Sequence, residues 1–180
     1  MELSARVLAA DGLGGRIMKV NHAGENGAVC IYSAQILLAR WTAPSWVAEL
    51  REFREHELRH RRIFLDELER RGMRRCRSYL LCGLGGYVLG LVTGAFGRGA
   101  IAATTVAVER VVLGHLRHQL AALDGTDAHA ADAVRAIVHE EQEHHDRASL
   151  HARASRVWLA ILAPLVAAAT EVVIWTGMRL

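Results

Sequence analysis

Glu57-Leu58-Arg59-His60 recurs later in the chain as Glu141-Gln142-Glu143-His144, and no other Glu-x-x-His pattern occurs. A further glutamate precedes each pattern by the same interval: Glu25 in the first half and Glu109 in the second. Because residues i and i+3 lie on one face of an α-helix, a glutamate and a histidine at this spacing can bind the same metal ion. Two helix pairs, each with one lone glutamate and one Glu-x-x-His, are the ligand set of dinuclear carboxylate bundles. The repeat therefore predicts a four-helix bundle with two metal ions in its core.

The donor atoms of this set indicate iron. Carboxylates and imidazoles combine hard oxygen with intermediate nitrogen and leave coordination positions open, which suits iron that must bind O2, with manganese as a substitute. Without a cation, four carboxylates converging in a low-dielectric interior would repel one another strongly. Two other pairs have an i,i+4 spacing and are alternatives: Glu140 with His144, and Glu141 with His145. The interval from position 57 to position 141 is the repeat offset, and it favours Glu141 with His144. The predicted metal ligands are Glu25, Glu57, His60, Glu109, Glu141 and His144.

Length and composition favour a single all-α domain. The 180 residues include 52% hydrophobic but only 6% aromatic residues, and two prolines interrupt long stretches that are free of helix breakers. The apolar runs are too long for ordinary strands, and no hairpin signature separates alternating segments. We expect one domain over 1–180, with 1–15 as a loosely ordered N-terminal lead.

Apolar periodicity and its interruption by glycine and proline predict six helices. Ser45 is the expected N-cap of the second helix, and Gly72 is its expected stop. The predicted helices cover residues 16–40, 45–71, 79–96, 99–123, 126 or 127 to 151, and 155–176.

Two of these segments are unusually apolar. Residues 79–96 carry no charge, and residues 157–175 carry only Glu171. Both segments are near the lower length limit for crossing a bilayer. Several glycines reduce the hydrophobicity of the first segment, and Glu171 interrupts the second. Partial insertion into a membrane is therefore favoured over full crossing. Packing in the core or against a dimer partner is the remaining alternative.

Charge and cysteine content suggest a compartment. The net charge is +3 and the pI about 9.1, but the basic clusters at 59–62 and 70–77 flank apolar segments and lack interleaved aromatic residues. This pattern suits an anionic membrane surface better than nucleic acid, and a solvated helix face explains it equally well. Three cysteines without a Cys-x-x-Cys pair predict a reducing compartment, and the N-terminus lacks the pattern of a signal peptide. We expect a peripheral protein at the cytoplasmic face of a bacterial inner membrane.

Four stretches resemble the demethoxyubiquinone hydroxylases of ubiquinone biosynthesis. The resemblance extends from about residue 16 to residue 180, and its Asn-His-Ala-Gly-Glu and Glu-Glu-x-Glu-His-His-Asp blocks are quite specific to that family. Where this family usually has an aromatic residue and an arginine, the chain has Asn26 and Cys30. The matching stretches are residues 20–25 (VNHAGE), 57–64 (ELRHRRIF), 105–109 (TVAVE) with His115, and 140–146 (EEQEHHD).

The resemblance implies a ferritin-like four-helix bundle with two additional apolar, membrane-associating helices. It implies that Glu57 and Glu141 bridge two iron ions, that Glu25 and Glu109 bind terminally, and that each histidine caps one iron. The implied enzyme is a di-iron monooxygenase that adds one oxygen atom from O2 to the ring of a polyprenylated demethoxyubiquinone.

The resemblance also implies what the enzyme works with. Its partners would be the quinone, O2 and membrane lipid, and a homodimer or a complex with other ubiquinone-biosynthesis proteins is left open. Two electrons must come from outside, from reduced nicotinamide such as NADH or from the quinol itself. The chain has no Gly-x-Gly-x-x-Gly fingerprint, so we expect no dinucleotide-binding fold within it.

Five further residues are weaker candidates for positions beside the metals or the substrate. Metal-bound histidines usually donate their other ring N–H to an acceptor, and Glu140 and Asp146 are candidates for it. His22 lies three residues before the first predicted ligand, and His115 lies six residues after the fourth. Tyr32 shares the helix face of the first ligand, where a packed tyrosine is favoured over a redox-active one.

Two rival functions use the same residues differently. A ferritin-like iron-oxidising or iron-binding protein has the same ligand set, but the two apolar segments argue against a soluble, cage-forming exterior. A non-catalytic helical membrane protein would carry these acids and histidines on its surface. Convergence of the six predicted ligands in the interior is the observation that separates this last alternative from the oxygenase.

Overall fold

The computed structural model describes residues 2–152 and 156–179, and within them the chain is helical with no strand. A short 3-10 turn at Pro44–Trp46 joins the first two helices. The all-α class predicted from the sequence is confirmed. The helices are α1 (Glu2–Thr42), α2 (Val47–Arg70), α3 (Tyr79–Ala95), α4 (Arg98–Leu123), α5 (Ala128–Arg135), α6 (Val138–Ala152) and α7 (Arg156–Gly177).

A four-helix bundle forms the centre of the fold. Helix α1 packs against α2, and α4 packs against α6, while α3 lies along α1 and α7 lies along α4. The order α1–α2–α3 is thus repeated by α4–α6–α7, as the repeat offset suggests. A ferritin-like bundle with two additional apolar helices is confirmed.

Two apolar clusters fill the bundle, one toward each end. Trp46, Phe53 and Ile101 belong to the first cluster, and Phe64 and Leu116 belong to the second, each at most 2% exposed. Along α1, α2, α4 and α6 the predicted ligands fall between these clusters. The site therefore lies at mid-height, where apolar packing on both sides excludes water.

Helix α3 approaches α1 very closely through its glycines. A Cβ atom placed on Gly86 would lie 2.3 Å from the carbonyl oxygen of Gly27, and one on Gly90 would lie 2.3 Å from that of Ile31. Only glycine permits backbones to meet at this distance. Four of the glycines in this apolar segment are thus its contact face: Gly83, Gly86, Gly90 and Gly94.

The apolar surfaces of α3 and α7 remain uncovered. By length and composition two helices could cross a membrane, α4 and residues 157–177 of α7; the apolar window of α4 is 67% buried in the bundle, whereas that of α7 is only 6% buried. Helix α4 is therefore a core helix, and α7 presents its apolar side chains outward, as does the shorter α3. The large exposed hydrophobic side chains on these two helices are Leu80, Leu81, Leu84, Tyr87, Val88 and Val92 on α3, and Val157, Ile161, Leu165, Val172, Val173 and Trp175 on α7.

Two helix boundaries differ from the prediction. The N-cap of α2 is Trp46 and makes no side-chain capping bond, because residues 44–46 form the 3-10 turn; Ser45 as N-cap was wrong. The single helix predicted to end at 151 is broken at 136–137 into α5 and α6. No glycine or proline marks this break, and Ile137 is fully buried there. Tertiary packing, rather than a local signal, interrupts the helix.

The outer limits of the helices also differ from the prediction. Helix α1 begins at Glu2, although the sequence indicated a start at residue 16; loose order over 1–15 stays a prediction. Asp127, one of two expected start sites, is the N-cap of α5, where its side chain accepts a hydrogen bond from the Ala130 amide. The expected start of the last helix at Ser155 lies outside the described residues.

Candidate metal centre

Four helices bring the six predicted ligands together. Helix α1 supplies Glu25 and α4 supplies Glu109, while α2 and α6 each supply one Glu-x-x-His pair. All six residues are buried, none more than 7% exposed. Convergence in the interior, the condition stated for the metal prediction, is therefore met.

The six side chains form two overlapping groups. In each group the candidate ligand atoms lie within 4.8 Å of one another, and Glu57 and Glu141 belong to both groups. Each histidine faces the glutamate of the other pair: Nδ1 of His60 is 2.8 Å from Oε1 of Glu141, and Nδ1 of His144 is 3.1 Å from Oε1 of Glu57. The groups are Glu25, Glu57, His60 and Glu141, and Glu57, Glu109, Glu141 and His144.

The polar atoms at the centre of the site have no hydrogen-bond partner of good geometry. Among the described residues these buried atoms include Oε1 of Glu57 and Glu141 and Nδ1 of His60 and His144. Leaving a buried polar atom unpaired costs about 1–3 kcal/mol, more for a charged group. A cation bound among these oxygen and nitrogen donors removes that cost, and the donor types suit iron or manganese. The residues present therefore fit the binding of metal.

Without a cation, some of the acidic groups keep their protons, which reduces the repulsion between the carboxylates. Burial, and then the neighbouring carboxylates, raise the pKa of Glu25 and of Glu109 well above the usual range. Burial disfavours the charged forms of Glu57 and His60, but their neighbours outweigh it. His144, and then His60, hold the pKa of Glu57 low. Glu141, and then Glu57, raise the pKa of His60 to about 12. Because ligands must lose protons to bind metal, binding would release protons here.

The outward ring nitrogens of the two histidines face different partners. Nε2 of His60 lies 2.8 Å from Oε2 of Glu140, whose Oε1 accepts a hydrogen bond from Arg59 at 2.9 Å. Nε2 of His144 lies 3.0 Å from Nδ1 of His56. The sequence indicated Glu140 as a candidate but did not indicate His56. The repeat offset could have found it, because it relates position 56 to position 140.

Tyr32 also contacts the cluster. Its buried hydroxyl donates a hydrogen bond to Oε1 of Glu109 at 3.2 Å, and its ring packs edge-on against Phe53. Burial, reinforced by the nearby Glu109, raises the pKa of Tyr32 well above its usual value. The hydroxyl is therefore a neutral hydrogen-bond donor to the carboxylate of Glu109.

The other three weaker candidates lie away from the cluster. His22 is buried and stacks on Tyr79 with the ring centroids 4.8 Å apart; burial, followed by the Arg61 cation, lowers its pKa to about 4. His115 faces Glu171 at 2.8 Å near the surface. Neither forms a hydrogen bond or an ion pair with a predicted ligand.

Asp146 does not accept a hydrogen bond from a predicted ligand. Its exposed carboxylate faces His145 and Gln142, each at 3.0 Å. The proposed role of Asp146 behind a ligand imidazole is therefore corrected, because its side chain points away from the bundle interior. His145, the alternative ligand, belongs to neither of the two ligand groups.

A crevice leads from the surface toward Glu109. It lies between α1 and α4, the two helices that α3 and α7 flank, and in this structure it has room for about one water molecule. Its lining is mostly apolar, and the buried hydroxyl of Thr105 has no hydrogen-bond partner. The lining residues are Ala28, Ile31, Tyr32, Thr104, Thr105, Val108 and Glu109.

A helical bundle with four glutamates and two histidines buried at its centre defines a ferritin-like carboxylate-bundle protein. Within that class, residues 13–177 match the family model described as "Ubiquinone biosynthesis protein COQ7", and the chain belongs to this family. The resemblance noted in the sequence is thereby confirmed.

Curated relatives of the chain carry hydroxylase names. The chain is 31% identical over 168 residues to the 3-demethoxyubiquinol 3-hydroxylase of Rhodospirillum rubrum, covering 91% of this chain and 77% of that protein. It is 32% identical over 156 residues to the protein of the same name from Verminephrobacter eiseniae, covering 87% and 72%. It is 28% identical over 167 residues to the "NADPH-dependent 3-demethoxyubiquinone 3-hydroxylase, mitochondrial" of Dictyostelium discoideum, covering 91% and 76%.

Proposed function

We propose that this protein is a di-iron monooxygenase that hydroxylates the benzoquinone or quinol ring of a polyprenylated demethoxyubiquinone in ubiquinone biosynthesis. The observation that carries the proposal is the convergence of six buried ligands in a member of this family. The names of the relatives support the substrate class.

The proposed roles of the ligands follow from their groups. Glu57 and Glu141, which belong to both groups, would help to hold both iron ions, and Glu25 and Glu109 would each help to hold one. His60 and His144 would cap one ion each. Bound iron would supply the activation of O2, and the apolar clusters on either side would keep water from the site.

The substrate ring would approach the centre along the crevice between α1 and α4, which must widen to admit it. A polyprenyl tail remains in the bilayer, and the uncovered apolar helices α3 and α7 flank the crevice where such a tail would lie. Inside, the unpaired hydroxyl of Thr105 could donate a hydrogen bond to a ring oxygen near Glu109. The substrate would therefore pass from the membrane to the site without crossing water.

We further propose that the chain is a single domain over 1–180, peripheral at the cytoplasmic face of a bacterial inner membrane. Reduced nicotinamide would supply the electrons, consistent with the NADPH-dependent relatives. Apolar surface on α3 that lipid does not cover would be available to a homodimer or to other ubiquinone-biosynthesis proteins.

Membrane binding through α3 and α7 can be tested with charged substitutions. Leu84→Glu and Leu165→Glu place a charge on exposed positions of these helices, 65% exposed in both cases. Each should shift the protein toward the soluble fraction in flotation with anionic phospholipid vesicles, because a charge in hydrocarbon costs about 2.5–3.5 kcal/mol. Leu150→Glu, equally exposed but on α6, is the control and should float as the wild type does. Equal flotation of all three variants would exclude α3 and α7 as the binding surface.

Hydroxylation itself can be tested by complementation. The protein is expressed in a bacterium whose own demethoxyubiquinone hydroxylase gene is deleted, and quinones are quantified by mass spectrometry. The wild type should convert the accumulated demethoxy intermediate to ubiquinone and purify with two irons per chain. Glu141→Ala should abolish conversion and retain its helical circular dichroism, whereas exposed Glu143→Gln should behave as the wild type.

Two outcomes would contradict this proposal. An unchanged quinone profile, with folded and iron-loaded protein present, would exclude the proposed reaction and favour the iron-oxidising alternative. Full conversion by Glu141→Ala would show that the ligand assignment is wrong.

A further inference from the structure

The two halves of the centre match in every predicted ligand but not in the residues behind them. Positions 56 and 140 are related by the same repeat offset as the ligands, yet one holds a histidine and the other a glutamate. Glu140 lies behind His60, and His56 lies behind His144. The two imidazoles therefore have chemically different partners in otherwise equivalent positions.

The partner of His60 is the stronger acceptor. A carboxylate paired with Arg59 accepts hydrogen bonds only, so Glu140 holds the proton of His60 on Nε2 and leaves Nδ1 facing the centre. A carboxylate behind a ligating imidazole raises the basicity of that ligand. His56 can accept from His144 only as a neutral ring, and a neutral acceptor polarises the N–H bond less. His60 is thus the better electron donor of the two.

A second difference acts on the terminal glutamates. Tyr32 donates a hydrogen bond to Oε1 of Glu109, which draws electron density from that carboxylate. The position related to Tyr32 by the repeat offset is Leu116, a buried residue that cannot donate to Glu25. Both differences weaken the donors of the same group, the one that contains Glu109 and His144.

We propose that the two metal positions are inequivalent, and that the position formed with His60 and Glu25 binds metal more tightly than the one formed with His144 and Glu109. Glu140 and His56 act as positioning residues through the histidines they face. The inference rests on the proposed dinuclear centre. Changes to such outer partners typically alter metal affinity by about 10–100-fold, and we expect a difference of that order between the positions.

The test measures each position alone with Mn2+, which binds such donors without reacting with O2. Glu109→Ala leaves the group with His60 intact, and Glu25→Ala leaves the group with His144 intact. Free Mn2+ is followed by electron paramagnetic resonance during titration of metal-free protein, and circular dichroism verifies the fold. Glu109→Ala should bind one Mn2+ about 10–100-fold more tightly than Glu25→Ala. Equal affinities, or the reverse order, would overturn the inference.

Paired substitutions test the cause. In the Glu109→Ala background, Glu140→Gln should lower Mn2+ affinity at least about tenfold, whereas Glu143→Gln, at an exposed neighbouring position, should not. In the Glu25→Ala background, His56→Glu should raise the affinity, and His139→Glu, which adds the same charge at a position whose side chain is 84% exposed, should not. If a variant and its control changed the Mn2+ affinity equally, the proposed role of Glu140 or of His56 would be overturned.

The outcomes separate this inference from the proposed function. Wild-type protein that binds no Mn2+ would remove the dinuclear centre itself. Wild-type protein that binds two ions, with equal single-position affinities, would remove only the inequivalence. If neither single-position variant binds Mn2+, the two outer partners are compared in the protein that keeps all six ligands. There Glu140→Gln must weaken Mn2+ binding more than His56→Gln, and equal weakening overturns the inference.

Discussion

Replacing Gly86 by alanine tests how α3 is held on the bundle. The added Cβ would lie 2.3 Å from the carbonyl oxygen of Gly27, whereas ordinary van der Waals contact begins near 3.4 Å. The two backbones must therefore separate by about 1 Å, the difference between these distances. Because helices move as rigid units, the neighbouring contact of Gly90 with Ile31 is pulled apart as well.

The expected magnitude follows from two opposing effects. Forcing an extra carbon into a closely packed contact costs about 1–3 kcal/mol, and occasionally more. Alanine is itself a better helix former than glycine by about 1 kcal/mol. Gly85 isolates this second effect, because a Cβ there meets nothing within 4 Å. Gly85→Ala should stabilise the protein slightly; because the helix-forming gain is common to both variants, the gap between them should equal the packing cost, about 1–3 kcal/mol.

Thermal unfolding followed by circular dichroism in one detergent measures this gap. For a chain of this length, 1 kcal/mol corresponds to roughly 2–4 °C in Tm, so Gly86→Ala should unfold roughly 2–12 °C below Gly85→Ala. Equal melting temperatures would show that α3 does not dock on α1 through its glycine face. The inference that these glycines form a contact surface would then be refuted.

Two further substitutions test buried polar groups. Folding lowers the pKa of His22 from 6.5 to about 4. Between these two pH values the unfolded chain binds a proton that the folded chain does not bind. The free energy of unfolding should therefore fall by about 2–3 kcal/mol between pH 7 and pH 4.5 through this residue. His22→Gln should lack that part of the fall in urea titrations at the two pH values, and an identical fall in both proteins would contradict the assigned cause. Asp127 caps α5 and pairs with Arg71 at 2.8 Å, and both side chains are buried. Asp127→Ala should cost about 3 kcal/mol in urea unfolding and Asp127→Asn, which keeps an acceptor for the cap, distinctly less; equal losses would show that the cap contributes nothing.

The six side chains of the candidate metal centre and the helices that carry them could be predicted from the sequence because their signals are local or repeat at a fixed interval. A glutamate and a histidine three residues apart share a helix face in any α-helix, wherever that helix packs. The repeat offset then related Glu57 to Glu141 without knowledge of the fold. The apolar character of α3 and α7 is equally a property of composition.

Rotation and approach of the helices were decided only by tertiary structure. Asp146 and Glu140 are both close to the second Glu-x-x-His in sequence, but only Glu140 faces an imidazole of the candidate metal centre, and that imidazole belongs to another helix. The break at 136–137 and the glycine contact of α3 with α1 likewise depend on what each segment packs against. Contacts between residues that are distant in the chain set these features. Such contacts produce no periodic pattern in the sequence of either segment.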